Sequence, residues 1–396
     1  MGFDERYFDR PMDRRNTECE KWDDRDVMNP DGVPLWVADM DFPCAPAIVE
    51  ALQRRVSHPC FGYNIDRPLD GEALVSFWRR RHGLEAQPKQ TQMLPCVITG
   101  LKTCVRAFTR EGDDVAILTP VYGPFYEAIR ANGRKIMPVS LLRQEETGRY
   151  ELDYAGMEQA LQNGAKLMML CSPHNPVSRL WSREELTALC RLAEKYNVPM
   201  VCDEIHADFV YQPGRFVSIL SIPEGRQRAV MLCSASKTFN VAGLQQAAAI
   251  CMNEEMMAAF RQALASAGVV SGNTFARLAA RAAYTACDDW LDGLLAYLDG
   301  SRALLGEWMR QYVPKARLSP IEATYLAWAD MRAYGLTCEQ MAEKCRQAGV
   351  ALTAGTFFGQ EGEGFMRINF ACPRAQLLEG IKRLGQALKE EQANHG

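Results

Sequence analysis

The sequence lacks the features that mark several classes of protein. Its 14 cysteines include no C-x-x-C pair, and cysteine and histidine do not cluster at metal-ligand spacing. We therefore expect neither a bound metal nor a disulfide framework, and the cysteine pattern favours a reducing, cytoplasmic setting. Apolar runs stay well below the roughly 20 residues that a membrane-spanning helix requires. The charged segment 1–15 has no apolar stretch of the kind found in secretory signals.

An excess of charge of one sign is also lacking. The 45 lysine and arginine residues nearly balance the 49 aspartate and glutamate residues, which gives a formal net charge of −4. No basic block stands out, so we expect no nucleic-acid partner. Internal repeats and low-complexity segments are absent from the sequence. What is present is a chain of 396 residues, 47% of them hydrophobic, which is enough for a large core and two lobes.

Residues 95–250 alternate between short apolar runs and amphipathic segments. The runs 166–171, 198–202 and 229–233 are almost wholly apolar, which is typical of parallel strands buried on both faces. This pattern predicts an α/β fold with a large doubly wound domain and a mostly parallel sheet. The helices and short strands that follow predict a smaller α+β domain. The predicted division is an N-terminal arm and joining segment (1–45), a large domain (46–285) and a small domain (286–396).

Three segments in the first part of the chain carry separate expectations. Residues 1–33 are polar and charged, so we expect an arm that buries little of its own and lies on another surface. Residues 34–43 are apolar with two acids, and they fit either an extended connector or a segment that crosses a site. Residues 97–102 are β-rich and break at Gly100, which predicts a strand that turns into a helix over 103–108. Such a turn presents free N–H groups to a phosphate.

Several candidate functional residues follow the predicted strands. In doubly wound sheets, ligands bind at the carboxyl ends of the strands, so side chains from these positions are expected to converge. The residues at such positions are Gly100, Tyr122, Asn175, Asp203 and Lys237. Arg367 stands inside a strand pattern, where it is either an outward-facing arginine or an anchor for a carboxylate. Tyr63, in a loop, is either a buried aromatic residue or a hydroxyl donor.

Asp203 and Lys237 together indicate a particular chemistry. An unpaired carboxylate at the end of a buried strand is costly, so Asp203 needs a cation. A carboxylate for a pyridinium nitrogen and a lysine that can form an imine are the protein side of pyridoxal 5′-phosphate (PLP) chemistry. The other predicted contacts are Asn175 to the phenolic oxygen of the ring, Tyr122 on the ring face, the Gly100 turn and Ser234 to the phosphate, and Arg367 to the substrate carboxylate.

Six segments resemble a known family. The chain is similar to fold-type I PLP enzymes of the aminotransferase class I/II superfamily, and more narrowly to the MalY/PatB group of cystathionine β-lyase-like carbon–sulfur lyases. The segments occur in the order of the family and read WVADMDF at 36–42, FGY at 61–63, PHNPV at 173–177, DEIH at 203–206, SASKTFN with AGLQ within 234–245, and FMRIN at 365–369.

The resemblance implies roles for individual residues. Lys237 is implied to be the Schiff-base lysine and acid/base, and Asp203 the partner of the pyridinium nitrogen. Arg367 is implied to bind the substrate α-carboxylate near Ala38. The other implied cofactor contacts are Asn175, Tyr122, His206, Ser234, and the amides of Leu101 and Lys102 after Gly100. Tyr63 is implied to reach the site of a partner subunit, so the resemblance also implies a homodimer.

Four positions depart from the family or need a condition. Gln245 replaces a phosphate-binding arginine of related aminotransferases, as suits the lyase-like group. Ser178 stands where the family has glycine, and because serine tolerates a positive φ poorly, we expect a rearranged loop. Lys102 is a long cation in the phosphate turn, where it either contacts the phosphate or points away. His206 can lie near the ring only if the strand ends before it.

The resemblance implies a β-elimination that converts L-cystathionine or a related cysteine S-conjugate into a thiol, ammonia and pyruvate. An aminotransferase would use the same residues, and the residues alone do not separate the two reactions. A non-catalytic regulatory protein on this fold is disfavoured because Lys237 and Asp203 are both retained. A Rossmann dehydrogenase is disfavoured because no G-x-G-x-x-G follows the first strand.

Overall fold

The computed structural model describes residues 2–24, 26–27, 29–65, 68–269 and 272–389. Its strands are β1 (Val33–Pro34), β2 (Thr91–Leu94), β3 (Asp114–Thr119), β4 (Lys135–Ser140), β5 (Leu142–Arg143), β6 (Tyr150–Glu151), β7 (Leu167–Cys171), β8 (Met200–Asp203), β9 (Ala229–Cys233), β10 (Ala247–Ile250), β11 (Arg317–Leu318), β12 (Leu326–Asp330), β13 (Val350–Ala351), β14 (Thr353–Ala354) and β15 (Phe365–Asn369). Its helices are α1 (Glu5–Phe8), α2 (Glu20–Asp23), α3 (Pro46–Val56), α4 (Leu69–His82), α5 (Val97–Phe108), α6 (Pro124–Arg130), α7 (Tyr154–Gln162), α8 (Arg183–Lys195), α9 (Pro223–Arg228), α10 (Ala235–Thr238), α11 (Glu254–Ser266), α12 (Thr274–Ala286), α13 (Asp288–Tyr312), α14 (Cys338–Gln347) and α15 (Arg374–Lys389).

The main sheet has seven strands in the order β2-β10-β9-β8-β7-β3-β4. Strands β9, β8, β7, β3 and β4 are parallel, whereas β10 runs antiparallel to both of its neighbours. Every residue of β7, β8 and β9 is buried, because helices cover both faces of the sheet. The predicted α/β fold with a mostly parallel sheet is therefore confirmed.

A second sheet lies in the C-terminal part of the chain. It has four strands in the order β11-β12-β15-β14, with antiparallel pairing throughout. Helices α13, α14 and α15 pack with this part, which gives the predicted α+β lobe. The domain boundaries at residues 45 and 285 stay predictions, and residues 390–396 of the predicted small domain lie outside the described residues.

The strand predicted over 97–102 is wrong, because these residues form the first half of α5. Val97, Leu101, Cys104 and Val105 are buried on one face, with the spacing of a helix rather than a strand. Gly100 therefore does not form a turn. Its N–H donates to the carbonyl of Cys96 at 3.3 Å, and a Cβ at this position would lie 2.7 Å from Leu232. The glycine allows α5 to pack closely on β9.

The expectation for residues 1–33 is also wrong in part, because the segment buries residues of its own. Phe8 in α1 is fully buried, and its ring packs against the rings of Phe42 and Trp290. Lys21 in α2 is 1% exposed and pairs with Asp41 at 2.9 Å. Few apolar residues are present here, but Phe8 lies at a position where the fold covers it completely.

The cysteines are free thiols, and many of them are part of the core. All 14 cysteines are free thiols, and those in β7, β8 and β9 are buried among apolar side chains. Burial raises the pKa of the Cys171 and Cys202 thiols well above their ordinary value. These thiols therefore act as small apolar side chains. Within the described ranges, no helix is both long and apolar enough to cross a membrane.

Candidate active site

A cavity of about 200 Å³ opens at the carboxyl ends of the central strands. It brings together most of the residues that the sequence singled out, because parallel strands end at the same edge of a sheet. The predicted site residues that line it are Ala38, Leu101, Tyr122, Asn175, Asp203, His206, Ser234 and Lys237. Gly100, Lys102, Tyr63 and Arg367 are not among the lining residues.

Lys237 lies in the short helix α10, directly after β9. The Ser234 hydroxyl caps this helix by accepting the N–H of Ser236 at 2.9 Å. The Lys237 Nζ donates to the carbonyl oxygen of Ala38 at 2.7 Å. Burial lowers the pKa of Lys237 to about 8, because the charged ammonium loses its hydration. The amine therefore loses its charge at a lower pH than an ordinary lysine, and its uncharged form, which a nucleophile or base requires, is more accessible near neutral pH.

Asp203 is the last residue of β8, and its carboxylate faces the cavity. Its Oδ1 accepts the N–H of Ile205 at 3.0 Å, and burial raises the pKa of Asp203 to about 7. A cation in the cavity would offset the cost of burying this charge. Because β8 ends at Asp203, the chain turns and brings His206 to the cavity wall, so the condition on His206 is met. Burial lowers the pKa of His206 to about 3, which keeps its ring neutral.

Arg367 lies in β15 and is 3% exposed, so the alternative of an outward-facing arginine is wrong. Its Nη1 donates to Asn175 Oδ1 at 3.3 Å, and its Nη2 donates to the carbonyl oxygen of Trp36 at 2.7 Å. Its Nε is buried without a hydrogen-bond partner among the described residues. Burial lowers the pKa of Arg367 to about 10, and the guanidinium stays charged at neutral pH. An anion beside Asn175 would complete its pairing.

The segment 36–42, which we call the strap, crosses the site. The carbonyl of Ala38 accepts from both Lys237 Nζ and the Tyr325 hydroxyl, the latter at 2.9 Å. Asn369 donates to the carbonyls on both sides of Ala38, those of Val37 and Asp39. Of the two alternatives for residues 34–43, the segment that crosses a site is therefore correct. The buried ring of Phe42 anchors this segment.

Tyr122 forms one wall of the cavity, just beyond the end of β3. Burial raises the pKa of its hydroxyl, so the ring is a neutral aromatic surface. On its other side, Tyr122 meets Phe357 with the ring centroids 6.0 Å apart. This position allows a planar ring in the cavity to stack on Tyr122.

The end of the cavity that is suited to an anion lies at the start of α5 rather than at Gly100. Cys96, Val97 and Ile98 line the cavity here, and the first-turn N–H groups of a helix attract a phosphate. These residues were not predicted as site residues, because residues 97–102 were expected to form a strand. The helical spacing of Val97, Leu101 and Val105 is the sequence signal that could have identified them.

Hydroxyl and amide side chains complete this end of the cavity. Ser234, Ser236, Gln245 and Gln246 line it. Lys102 instead points away and pairs with Glu127 at 2.5 Å on the protein surface. Of its two expected orientations, the structure has the outward one, and a phosphate contact is not supported.

Ser178 keeps the positive φ that glycine would adopt, with a value of 57°. The buried hydroxyl donates to the carbonyl of Leu326, and the Ser178 carbonyl accepts the N–H groups of Glu322 and Ala323. These hydrogen bonds offset the cost of the strained backbone. Ser178 therefore adopts the φ of a glycine, and the rearrangement that we expected at this position does not occur. The loop holds Asn175 at the cavity.

Tyr63 lies in the loop after α3, where its side chain is fully exposed. It makes no contribution to the cavity of its own chain. Two nearby apolar residues, Phe61 and Ile65, are 55% and 66% exposed. The loop therefore presents an apolar surface outward.

The chain belongs to the aminotransferase class I and II family, whose sequence model matches residues 30–384. Its curated relatives include "Cystathionine beta-lyase PatB" of Bacillus subtilis, which is 37% identical over 386 residues, covering 96% of this chain and 99% of the relative. "Protein MalY" of Escherichia coli is 33% identical, covering 96% and 98%. Among solved structures, cystalysin from Treponema denticola, described as containing a PLP cofactor, has a TM-score of 0.92 at 30% identity, covering 97% and 99%. The predicted family is thus confirmed.

Proposed function

We propose that the chain is a PLP-dependent carbon–sulfur β-lyase that cleaves L-cystathionine or a related cysteine S-conjugate into a thiol, ammonia and pyruvate. The observation that carries this proposal is the 37% identity, over 96% of the chain, to a relative named cystathionine beta-lyase. The buried lysine and carboxylate that face one cavity are consistent with it.

The donors around the cavity fit PLP. Asp203 is a buried carboxylate without an ion-pair partner among the described residues, and it would pair with the pyridinium nitrogen. Tyr122 would stack on the ring, Asn175 would contact its phenolic oxygen, and His206 would pack beside it. The phosphate would be held by the first-turn amides of α5, near Val97 and Ile98, and by the Ser234 and Ser236 hydroxyls, with Leu101 lining the cavity beside them. When bound, PLP supplies an electron sink for negative charge at the substrate Cα.

The chain then supplies binding, orientation and proton transfer. Arg367 holds the substrate α-carboxylate by charge-assisted hydrogen bonds beside the Ala38 segment of the strap. This contact fixes the Cα–H bond relative to Lys237. The Lys237 amine, in the uncharged form that its lowered pKa makes more accessible, removes the Cα proton. The C–S bond of the substrate breaks as the thiolate leaves Cβ.

The assembly and location proposed for the enzyme follow the same reasoning. We propose a homodimer in which Tyr63 reaches the site of the second subunit, because the Tyr63 side chain is fully exposed and does not line the cavity of its own chain. The 14 free cysteines favour a cytoplasmic enzyme. The substrate is a small-molecule amino acid, and the buried Arg367 guanidinium beside Asn175 supports this part of the proposal.

Product analysis tests the reaction. The purified holoenzyme is incubated with L-cystathionine without any 2-oxo acid, and pyruvate is measured over many turnovers. We expect pyruvate and ammonia in equal amounts, and none with the Lys237→Ala variant. If turnover requires an added 2-oxo acid and gives no pyruvate, the protein is an aminotransferase that uses the same residues.

A further inference from the structure

A second cavity, of about 670 Å³, lies next to the active site and has no role in the proposed chemistry so far. We call it the outer cavity. It is separated from the active-site cavity by the ring pair of Tyr122 and Phe357. Phe357 is 49% exposed, and a Cβ on Gly123 would lie 3.0 Å from its ring. The two cavities are therefore one aromatic layer apart.

The outer cavity carries one group of each charge. Arg130, at the end of α6, lies 5.8 Å from the centroid of the Tyr126 ring, and within the described part of the chain it has no carboxylate partner. Glu361 lies in the same cavity. Burial raises the pKa of Tyr126, the Glu361 carboxylate raises it further and the Arg130 guanidinium lowers it, so both charges act on the same aromatic wall.

Glu361 is held in place by two hydroxyls. Its Oε1 accepts from Thr119 Oγ1 at 2.7 Å and from Ser140 Oγ at 2.9 Å. Its Oε2 faces a space that a side chain at position 359 would fill, because a Cβ there would lie 2.9 Å from Oε2 and 2.5 Å from the Tyr126 hydroxyl. Gly359, with a φ of 130°, leaves this space open.

We propose that the outer cavity binds the distal, zwitterionic amino-acid end of the substrate, so that Arg130 takes its carboxylate and Glu361 its ammonium group. The leaving thiol of cystathionine carries both groups on a flexible chain, which passes Phe357. This proposal rests on the lyase function, and it makes the enzyme selective for S-conjugates whose leaving group is itself an amino acid. A simple anion would use Arg130 alone and would leave the Glu361 carboxylate without a cationic partner.

The test compares two substrates, L-cystathionine and S-methyl-L-cysteine, which has no charged leaving group. The quantity measured is the ratio of their kcat/KM values by pyruvate release. We expect Arg130→Gln and Glu361→Gln each to lower the ratio about tenfold, the effect of losing one charge-assisted contact. Arg130→Lys keeps the charge and is expected to keep most of the ratio. Arg110→Gln, an exposed arginine outside the cavity, is the control.

The outcomes separate the two proposals. A ratio that falls in both variants and not in the control supports the subsite. A wild type that cleaves both substrates, with a ratio that stays within twofold in both variants, overturns the subsite and leaves the lyase function intact. A wild type that releases pyruvate from neither substrate contradicts the lyase function, and the subsite falls with it.

Discussion

Burial gives two residues of the site opposite changes in acidity. The pKa of Lys237 falls to about 8 and that of Asp203 rises to about 7, in both cases mainly because the protein excludes water from the charged form. Each group therefore loses some of its charge in the pH range where an enzyme works. Such pairs mark catalytic sites, and here the two groups face the same cavity.

The first prediction concerns the capture of PLP by the cofactor-free protein. The uncharged amine is the form that attacks a carbonyl, so the rate of capture is expected to increase as the pH rises through about 8. Stopped-flow absorbance at a series of pH values measures this rate. A midpoint above pH 10, the range of an ordinary lysine, contradicts the assigned role of burial.

The second prediction concerns the stability of the cofactor-free protein. The folded-state pKa of Asp203 is about 7, above its ordinary value of 3.8, so the folded state holds the proton more tightly than the unfolded state. This contribution to stability is lost as the pH rises toward 7. Between pH 5 and pH 8, Asp203→Asn is expected to gain about 2 kcal/mol relative to the wild type. Urea unfolding measures it, with the exposed Asp13→Asn as control, and an equal pH dependence in Asp203→Asn and the wild type rules the effect out.

Whole elements depend on contacts with other segments of the chain, and the strap is the best example. Lys21 from α2 pairs with Asp41 at 2.9 Å and donates to the carbonyl of Asp39. Arg14 bonds the carboxylates of Asp39 and Asp41 from the other side. This cluster fixes the strap over Lys237. The N-terminal segment therefore supports the active site, although none of its described residues lines the cavity.

The third prediction follows from this cluster. Lys21→Met removes a fully buried ammonium and leaves Asp41 buried with fewer partners, which is expected to cost about 3 kcal/mol of folding free energy. The partners of Asp41 hold its pKa below 3.8, so its contribution to stability is present above about pH 4 and is lost at lower pH. Denaturant unfolding at pH 7 and pH 3 measures both effects. An exposed lysine, changed in Lys89→Met, is the control, and a loss no larger than that of the control counts against the cluster.

Element prediction succeeded where local signals agree. Helix α3 begins at Pro46, and α8 begins with a capping box of Ser182 and Glu185, and both are start signals that a sequence displays directly. The failure at 97–102 has a physical cause. Val97, Ile98 and Thr99 are β-branched and favour strands in isolation, but the buried face of α5 packs on the sheet and outweighs that preference.

At the scale of the whole molecule, the sheet explains which site residues could be predicted. Tyr122, Asn175, Asp203 and Lys237 follow strands, so the order of elements brings them together. Tyr325 and Asn369, which hold the strap, come from the second sheet, and no local pattern marks which carbonyls they contact. The outer cavity was missed for the same reason, since Arg130 and Glu361 meet only in the folded chain.

The fourth prediction concerns the assembly. The loop 61–65 exposes Tyr63 and Ile65, and we expect a second copy of the chain to cover them. Ile65→Glu places a charge in that contact and is expected to shift the mass in solution from dimer toward monomer. Multi-angle light scattering measures the mass. Leu142→Glu, at an apolar residue 51% exposed elsewhere, is the matched control. A wild-type monomer, or a dimer unaffected by Ile65→Glu, contradicts the proposed interface.

The most direct test of the central claim is chemical fixation of the cofactor on Lys237. The purified protein is loaded with PLP and reduced with borohydride, and its peptides are mapped by mass spectrometry. The account predicts one pyridoxyl group, on the peptide that contains Lys237, in the wild type and in the exposed-lysine control Lys135→Ala, and none in Lys237→Ala. A label on any other lysine, or a wild type that takes up no label, would contradict it.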